Sequence, residues 1–324
     1  MPQAALFHGA THSPQGTRRH VMPKRSETTC LAIAVICGLL LPTCGCGRPR
    51  PGEQVVIKGS DTMVGLGQRW AEAFVKTHPH VLISVTGGGS GTGIAALIEG
   101  TCDIAQASRE IKKDELEKAK AAGHRCVETV VAWDGVAVIV NPANPVSRVT
   151  LEQLSDLFQG KITNWRELGG LDAPVVLLAR ETSSGTHAFF KKRVLQLGGK
   201  RKGADYAASA ILSTSSQTIH DEVASNPNAV GYVGLAYIEE DVKALSVAET
   251  PQGPFVAPSV ETVMDRTYPI SRPLYVYTDG EPEGMTKEFL EFALSPTGQS
   301  LVTDMGFVPV LKQAVLRAET PRAK

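Results

Sequence analysis

The stretch SVTGGGSGTGIAALIEG, Ser84 to Gly100, joins an apolar run to a helix-like run through a turn of glycine and hydroxyl residues. Such strand-to-helix turns are typical of anion sites, because the first amides of a helix have no partner inside the helix. The spacing excludes the familiar alternatives. A phosphate-binding loop requires lysine where Ile94 stands, and a G-x-S-x-G nucleophile turn requires glycine where Thr92 stands. A dinucleotide loop fails at Thr92 or Ile94, depending on the frame.

The same construction occurs twice more along the chain. KGSDTM (58–63) and RETSSGTHAF (180–189) each place small polar residues between the end of a strand-like run and a helix-like run. Two arginines, Arg109 in ASR and Arg180 in LLAR, stand at predicted strand ends beside these turns. Guanidinium groups suit tetrahedral oxyanions. The pattern therefore predicts an anion held in a cleft, with no catalytic base required.

Strand-like and helix-like runs alternate from residue 55 onward, which indicates an α/β fold with a largely parallel sheet. A chain of 324 residues exceeds what one compact domain usually needs, so we expect two lobes. The apolar run VETVVAWDGVAVIVNP is either two strands or one crossing strand, and NPANPVSR (141–148) is a crossover between the lobes. Thr150 is the predicted N-cap of the helix that follows.

The N-terminal region has the features of an export signal. A basic segment, MPKR, precedes the apolar run CLAIAVICGLLLP and then TCGCG, so we expect residues 1–46 to be a signal peptide and 47–54 a tether. Met22 gives a better signal start than Met1. Leu41 lies three residues before Cys44, and the small residue Gly45 directly precedes Cys46. This arrangement predicts a bacterial lipobox in which either Cys46 or Cys44 is lipidated, and Cys46 is the first choice. The alternative is a plain secretory signal with incidental cysteines.

The remaining charge and cysteines restrict the partners. Residues 1–46 hold four basic residues and one acidic residue, leaving 29 basic and 32 acidic residues and a net charge of −3. This balance gives no reason to expect nucleic acid, and an anion would need a local site. Cys102 and Cys126 could pair in an oxidising compartment, or remain two buried thiols.

Taken together, motifs from about Val55 to Pro309 resemble the phosphate-binding proteins of bacterial ABC phosphate-uptake systems. They occur in family order: GSDTM, GGGSGTG, CDIAQASR, DGVAVIVNP, GKITNW, R-x-x-SSGT, AVGYVGLAY, YPISRPLYVY and GFVP. The resemblance implies a two-lobed periplasmic-binding-protein fold of type II, each lobe a mostly parallel sheet flanked by helices. With two crossings, lobe 1 comprises 55–140 and 256–324, and lobe 2 comprises 141–255.

The resemblance also implies the site residues. The predicted phosphate ligands are Ser60, Asp61, Thr62, Ser90, Arg109, Arg180, Ser184, Gly185 and Thr186. Less direct contributors are Gly89, Gly91, Asp134 and Ser183. Asp134 either orients Arg109 or forms a turn.

This sequence differs from some well-known members of the family at two site positions. Those members have threonine where Asp61 stands and aspartate where Arg109 stands, so the acidic residue is at the other position. That aspartate accepts the proton of hydrogen phosphate, which sulfate lacks near neutral pH. We hypothesise that Asp61 takes this role and that Arg109 adds charge. The alternative is that Asp61 is only an N-cap.

These features predict a non-enzymatic carrier outside the cytoplasmic membrane. It would be a lipid-anchored monomer that binds inorganic phosphate and passes it to an ABC permease, with no cofactor and no metal. Alternatives are binding or sensing of sulfate, molybdate or another oxyanion. An extracytoplasmic phosphatase is a further alternative, but it would need a metal cluster or an activated nucleophile that the sequence does not show.

Overall fold

A computed structural model describes residues 53–310 of the protein. The predicted signal peptide, the alternative start at Met22 and the lipidation candidates Cys44 and Cys46 lie outside these residues. Within the described part, no helix combines the length and apolar character needed to cross a membrane.

Twelve strands and nine α-helices are described in this region. The strands are β1 Gln54–Gly59, β2 Leu82–Gly88, β3 Ile104–Ala107, β4 Cys126–Val140, β5 Arg148–Thr150, β6 Val176–Arg180, β7 Ile211–Ser213, β8 Ala229–Gly234, β9 Lys243–Ala244, β10 Ser246–Ala248, β11 Ser271–Asp279 and β12 Val308–Pro309. The helices are α1 Val64–Val75, α2 Ser90–Ile98, α3 Lys113–Ala121, α4 Leu151–Phe158, α5 Gly185–Phe190, α6 Ser216–Ser225, α7 Val260–Met264, α8 Gly284–Leu294 and α9 Pro296–Asp304. Short 3-10 turns include Asp61–Met63 and Leu235–Tyr237.

The main sheet has the strand order β2-β1-β3-β11-β4-β8-β6-β7. Strands β2, β1 and β3 are parallel, as are β8, β6 and β7. At the centre, β11 runs antiparallel to both neighbours and β4 runs antiparallel to β8. The α/β class is therefore confirmed, with a mixed sheet that is parallel only toward its two ends. We call β2, β1, β3 and β11 the first half of the sheet, and β8, β6 and β7 the second half.

Strand β4 connects the two halves as one strand of 15 residues, the second of the two possibilities left open by its sequence. Residues Cys126–Gly135 pair with β11, and Val136–Val140 pair with β8. Its Val131 and Ala132 pack in one apolar core with β1, α1 and α8, whereas Val136 and Val138 pack in a second core with α4 and β8. One strand thus belongs to both cores.

The second core also includes α7 and Tyr268, although residues 256–324 are assigned by sequence to the first lobe. The lobe boundaries remain a prediction.

Thr150 is the N-cap of α4, as predicted: its hydroxyl accepts a bond from the Gln153 amide at 3.1 Å, and the Gln153 side chain accepts one from the Thr150 amide at 2.9 Å.

The structure holds Cys102 and Cys126 as free thiols, so the disulfide that the sequence left open is not formed there. Both pack in an apolar cluster around α2, β3 and β11. Burial raises the pKa of Cys102 to about 11 and also raises the pKa of Cys126. The thiol forms therefore dominate at neutral pH, and the alternative of two buried thiols describes Cys102, whereas Cys126 is only partly buried.

Candidate functional site

The predicted anion-binding residues meet at the carboxyl ends of four strands. Ser60–Thr62 follow β1, Gly89–Gly91 follow β2, Arg109 follows β3 closely, and Arg180–Thr186 end or follow β6. Ligand sites of open α/β sheets lie at such ends, because neighbouring parallel strands deliver their loops to one edge.

Direct contacts join the two halves of the sheet at this place. The hydroxyls of Thr62 and Thr186 lie 2.9 Å apart, and both residues are buried. The Gly91 amide donates to the Ser183 carbonyl at 2.9 Å. The Ser183 hydroxyl oxygen lies 3.2 Å from the Gly88 carbonyl oxygen and 2.7 Å from Glu181 Oε1, and it can donate to either acceptor. Two of the three predicted turns, Gly87–Gly93 and Arg180–Phe189, therefore touch each other through backbone groups.

Two glycines permit this close approach. A Cβ on Gly185 would lie 2.2 Å from the Ser90 hydroxyl oxygen and 2.6 Å from that of Ser108. Gly89 has φ of +95°, and a Cβ there would lie 2.6 Å from the Ser183 hydroxyl oxygen. Any larger residue at Gly185 would separate Ser90 from the second turn, since real Cβ contacts do not fall this short.

Two of the predicted hydroxyl ligands, Ser90 and Ser184, accept hydrogen bonds from backbone amides. The fully buried Ser90 accepts a hydrogen bond from the Ser108 amide at 3.0 Å, and its oxygen lies 3.4 Å from the Ser108 hydroxyl. Ser184 is the N-cap of α5 and accepts bonds from the amides of Thr186 and His187. Ser60 is also buried, at the turn that leads into α1.

Arg180 is only 1% exposed and is held mainly by neutral acceptors. Its Nη1 donates to the Ser216 hydroxyl at 2.8 Å and its Nη2 to the Thr214 carbonyl at 2.7 Å. Its backbone carbonyl accepts a bond from the buried His187 Nδ1 at 2.6 Å. Burial lowers the pKa of His187, in keeping with a neutral imidazole donating from Nδ1.

Asp61 spans the two halves of the sheet. Its Oδ2 lies 3.2 Å from Arg180 Nη1 and accepts a bond from the Ser216 amide, the first residue of α6, at 2.9 Å. Ser60 is the N-cap of the 3-10 turn Asp61–Met63, and Asp61 is the first residue inside that turn. The interpretation of Asp61 as a simple N-cap is therefore wrong.

Arg272 is the largest part of the site that the sequence analysis missed. This buried arginine donates from Nη1 to the Ser108 carbonyl at 3.0 Å and from Nη2 to the Thr186 hydroxyl at 3.0 Å. Nη2 also lies 3.4 Å from the Thr62 hydroxyl. Arg272 thus touches two of the three predicted turns, through Thr62 and Thr186, and the segment after β3 through Ser108.

Asp134 is the partner of Arg272. Its Oδ2 accepts from Nε at 3.1 Å and from Nη2 at 2.8 Å, and its Oδ1 accepts from the Leu235 amide at 3.1 Å. Burial raises the pKa of this fully enclosed carboxyl, and the Arg272 charge opposes that rise. Both interpretations from sequence are therefore wrong, because Asp134 lies inside β4 and pairs with Arg272, not Arg109.

Arg109 is held by a different carboxylate. Its Nη1 and Nη2 donate to the two oxygens of Glu115 at 2.8 and 2.6 Å, and Nη1 also donates to the Glu110 carbonyl at 2.9 Å. Nη2 remains near the glycine turn, 3.6 Å from where a Cβ on Gly91 would lie. Arg109 therefore lies beside the site with much of its charge already balanced by Glu115.

A groove of about 550 Å³ opens beside the site, between the segment after β3 and the end of α5. Its lining includes the cationic residues Arg109, Lys112, Lys113, Lys192, Arg193 and Arg272, and one acid, Glu110. Arg109, Arg193 and Arg272 are paired with carboxylates, so the positive field of this groove comes mainly from its lysines. Such fields attract anions.

Sequence spacing predicts no metal site. The folded chain nevertheless brings His220, Glu239 and Asp241 together at some distance along the chain from the predicted anion ligands.

Comparisons with known proteins find relatives along most of the chain. A family model described as the PBP superfamily domain matches residues 47–297. The chain is 37% identical over 273 residues to the phosphate-binding protein PstS of Bacillus subtilis, covering 84% of this chain and 85% of that protein. It is 30% identical over 269 residues to the phosphate-binding protein PstS of Pseudomonas aeruginosa PAO1, covering 78% and 81%.

Two solved structures are similar to this chain along most of its length. A putative phosphate ABC transporter substrate-binding protein with bound phosphate from Clostridium perfringens has a TM-score of 0.71 and 35% identity, with 79% of this chain and 99% of that chain covered. An ABC-type phosphate transport receptor from Vibrio cholerae has a TM-score of 0.63 and 31% identity, with 78% and 99% covered.

Proposed function

The chain belongs to the PBP superfamily and, within it, to the family of phosphate-binding proteins of ABC transporters, and on this premise we propose that it captures inorganic phosphate and delivers it to a permease. The phosphate would bind where the turns after β1, β2 and β6 converge. The lobes 55–140 with 256–324, and 141–255, would close around it.

The observation that carries this proposal is the meeting of Thr62 and Thr186. These residues are 124 positions apart, yet their hydroxyls lie 2.9 Å from each other and both lie near the Arg272 guanidinium. The buried hydroxyl of Ser90 and the buried guanidinium of Arg180 complete a donor set drawn from both halves of the sheet. Each charge-assisted hydrogen bond to a bound anion would contribute about 1.5–3 kcal/mol.

Asp61 would distinguish phosphate from sulfate. Its carboxylate is near Arg180 and 20% exposed, so it can exchange partners when an anion enters. A carboxylate repels a fully deprotonated oxyanion but accepts the proton that phosphate retains near neutral pH. Arg109 would add charge at the edge of the site and contribute less than Arg180, because Glu115 holds it on two oxygens.

The Asp61→Asn variant tests this role. We expect the phosphate-over-sulfate affinity ratio, measured by calorimetric competition, to fall by about tenfold or more, since the amide no longer repels sulfate. Asp114→Asn, an exposed change on α3, is the matched control and should leave the ratio unchanged. An unaltered ratio in Asp61→Asn would exclude the proton-acceptor role.

The function itself is tested by titrating purified protein with phosphate, sulfate and molybdate, followed by a phosphatase assay with and without added divalent metal. We expect saturable binding of one phosphate per chain and no turnover. Preferential binding of sulfate or molybdate would favour a receptor for another oxyanion. Turnover without stoichiometric phosphate binding would favour an enzyme.

Proteins of this family act outside the cytoplasmic membrane, and the lipid anchor is our finer proposal. It rests on the apolar run CLAIAVICGLLLP, which ends at Pro42, and on Cys44 and Cys46, which follow it. We propose that the mature chain begins at lipidated Cys46 and works as a monomer. Labelling of the wild-type protein with a fatty acid in a bacterial host, lost in Cys46→Ser but not in Cys44→Ser, is the expected result, and the reverse pattern would assign Cys44.

A further inference from the structure

A group of metal-ligating side chains lies on the second half of the molecule. His220 on α6 faces Glu239 and Asp241, which follow the 3-10 turn Leu235–Tyr237. One ligand atom from each of the three residues lies within 4.8 Å of those from the other two. We propose that these three residues form a binding site for a divalent transition-metal ion, with zinc as the best match.

The imidazole of His220 is the strongest indication. It is only 3% exposed, and its Nδ1 lies 3.1 Å from Asp221 Oδ1. The side-chain nitrogen of Gln217 lies farther from Nδ1, at 3.4 Å, so the Asp221 carboxylate is the nearer partner of this nitrogen. An Nδ1–H donated to that carboxylate leaves a lone pair on Nε2. The buried Nε2 makes no hydrogen bond, even though Asp241 Oδ1 is 3.0 Å away, because the approach lacks hydrogen-bond geometry.

This arrangement points a buried lone pair at two carboxylates. Placing acceptors together without a proton between them is unfavourable, and burial makes the cost larger. A cation between Nε2, Glu239 and Asp241 removes the repulsion. Asp221 then has the role that carboxylates commonly have behind metal-bound histidines, since it fixes the ring orientation through the other nitrogen.

The dimensions suit a small divalent ion. Ligands about 2.1 Å from zinc at tetrahedral angles are about 3.4 Å apart, so the three atoms need only small side-chain movements to reach one ion. Glu239 and Asp241 are exposed and can make such movements, and exposure also leaves room for water ligands. One imidazole and two carboxylates favour zinc over calcium, which takes six or more oxygen ligands.

The location connects the ion to the Asp61 region. Helix α6 begins at Ser216, whose amide donates to Asp61 Oδ2, and the segment before Glu239 contains Tyr237, whose hydroxyl donates to the Asp61 carbonyl. An ion bound by His220, Glu239 and Asp241 would therefore cross-link the two second-half segments that hold Asp61. The site itself does not depend on the proposed phosphate function.

Calorimetric titration of chelator-treated full-length protein with zinc, in phosphate-free buffer, tests the proposal. We expect one zinc ion per chain, and a dissociation constant raised about tenfold or more in Glu239→Gln and in Asp241→Asn. Glu240→Gln, the exposed acid between them, is the matched control and should bind as the wild type does. Calcium should not bind at this site.

Two results would overturn the proposal. One is the lack of a saturable zinc site. The other is equal zinc binding by the wild type and both acid variants, which would place the ion elsewhere. Both variants change exposed side chains and should fold normally, which unfolding curves check. We expect the same variants to retain phosphate binding, and this result separates the zinc site from the proposed function.

Discussion

Arg180 and Arg272 are equally buried but are held in different ways. Arg272 shares two hydrogen bonds with Asp134, a carboxylate that is fully buried. Arg180 donates to the neutral oxygens of Ser216 and Thr214, and its nearby carboxylate, Asp61, is 20% exposed and 3.2 Å away. One arginine has a permanent counter-ion, and the other has one that can move.

The difference indicates a division of work between the two residues. A guanidinium paired with an enclosed carboxylate is nearly neutral as a unit, so Arg272 positions Thr62 and Thr186 more than it attracts an anion. Arg180 keeps its charge available to an anion that displaces Asp61. The following predictions test this division, starting with the largest expected effect.

Asp134→Asn should destabilise the fold by about 3–5 kcal/mol, because it leaves the Arg272 charge buried without a counter-ion. The free energy of unfolding in urea measures this loss. The matched control is Asp172→Asn, in the exposed pair with Arg166, where we expect less than about 1 kcal/mol. A similar small loss in both variants would show that Arg272 does not depend on Asp134.

Arg180→Met should weaken phosphate binding by about 2–5 kcal/mol, or roughly 30-fold to several thousand-fold, because it removes a buried guanidinium from the proposed site. Calorimetry measures the affinity. Arg125→Met, in an exposed pair with Glu281, should leave it unchanged. Wild-type affinity in Arg180→Met would refute the proposed division between the two arginines.

Gly185→Ala should weaken phosphate binding by about 1–3 kcal/mol, because its methyl group would collide with the Ser90 and Ser108 hydroxyls and hold the two halves apart. The matched control is Gly203→Ala, where a Cβ meets nothing within 4 Å. Unchanged binding in Gly185→Ala would mean that close approach of the second turn to Ser90 is not needed.

The smallest effect concerns His187, which holds the Arg180 carbonyl. Burial lowers its pKa in the fold, so the neutral ring stabilises the protein fully above about pH 6.5, and this stability is lost as pH falls through the lowered value. The slope contributed is at most about 1.4 kcal/mol per pH unit. Unfolding curves at pH 7 and pH 5 should show a smaller acid loss in His187→Gln than in the wild type or the exposed control His80→Gln. An equal acid loss in all three would contradict this.

The parts of the site that the sequence predicted are encoded locally. The glycine and hydroxyl turns after β1, β2 and β6 are visible in short stretches, because special backbone conformations and helix starts require particular residues. The alternation of strands and helices can also be predicted from short stretches, because the spacing of apolar residues along an element is a local property.

Arg272 was missed because its partners are distant in sequence, with Thr62 lying 210 residues away. A usable signal was present: an arginine at the start of the apolar run RPLYVY, where a buried charge needs a partner. The pairing of Arg109 with Glu115 was missed although only six residues separate them. Spacing alone does not reveal that the loop before α3 folds back on the arginine.

The crossing strand β4 has a consequence for unfolding. Because Val131 and Ala132 belong to one core and Val136 and Val138 to the other, neither core can lose its part of β4 without disturbing the ladder that supports its neighbour. The two halves should therefore melt together, in one calorimetric transition whose van't Hoff enthalpy equals the measured enthalpy. If the two halves open and close around phosphate, as we propose, the protein would then still unfold as a single cooperative unit.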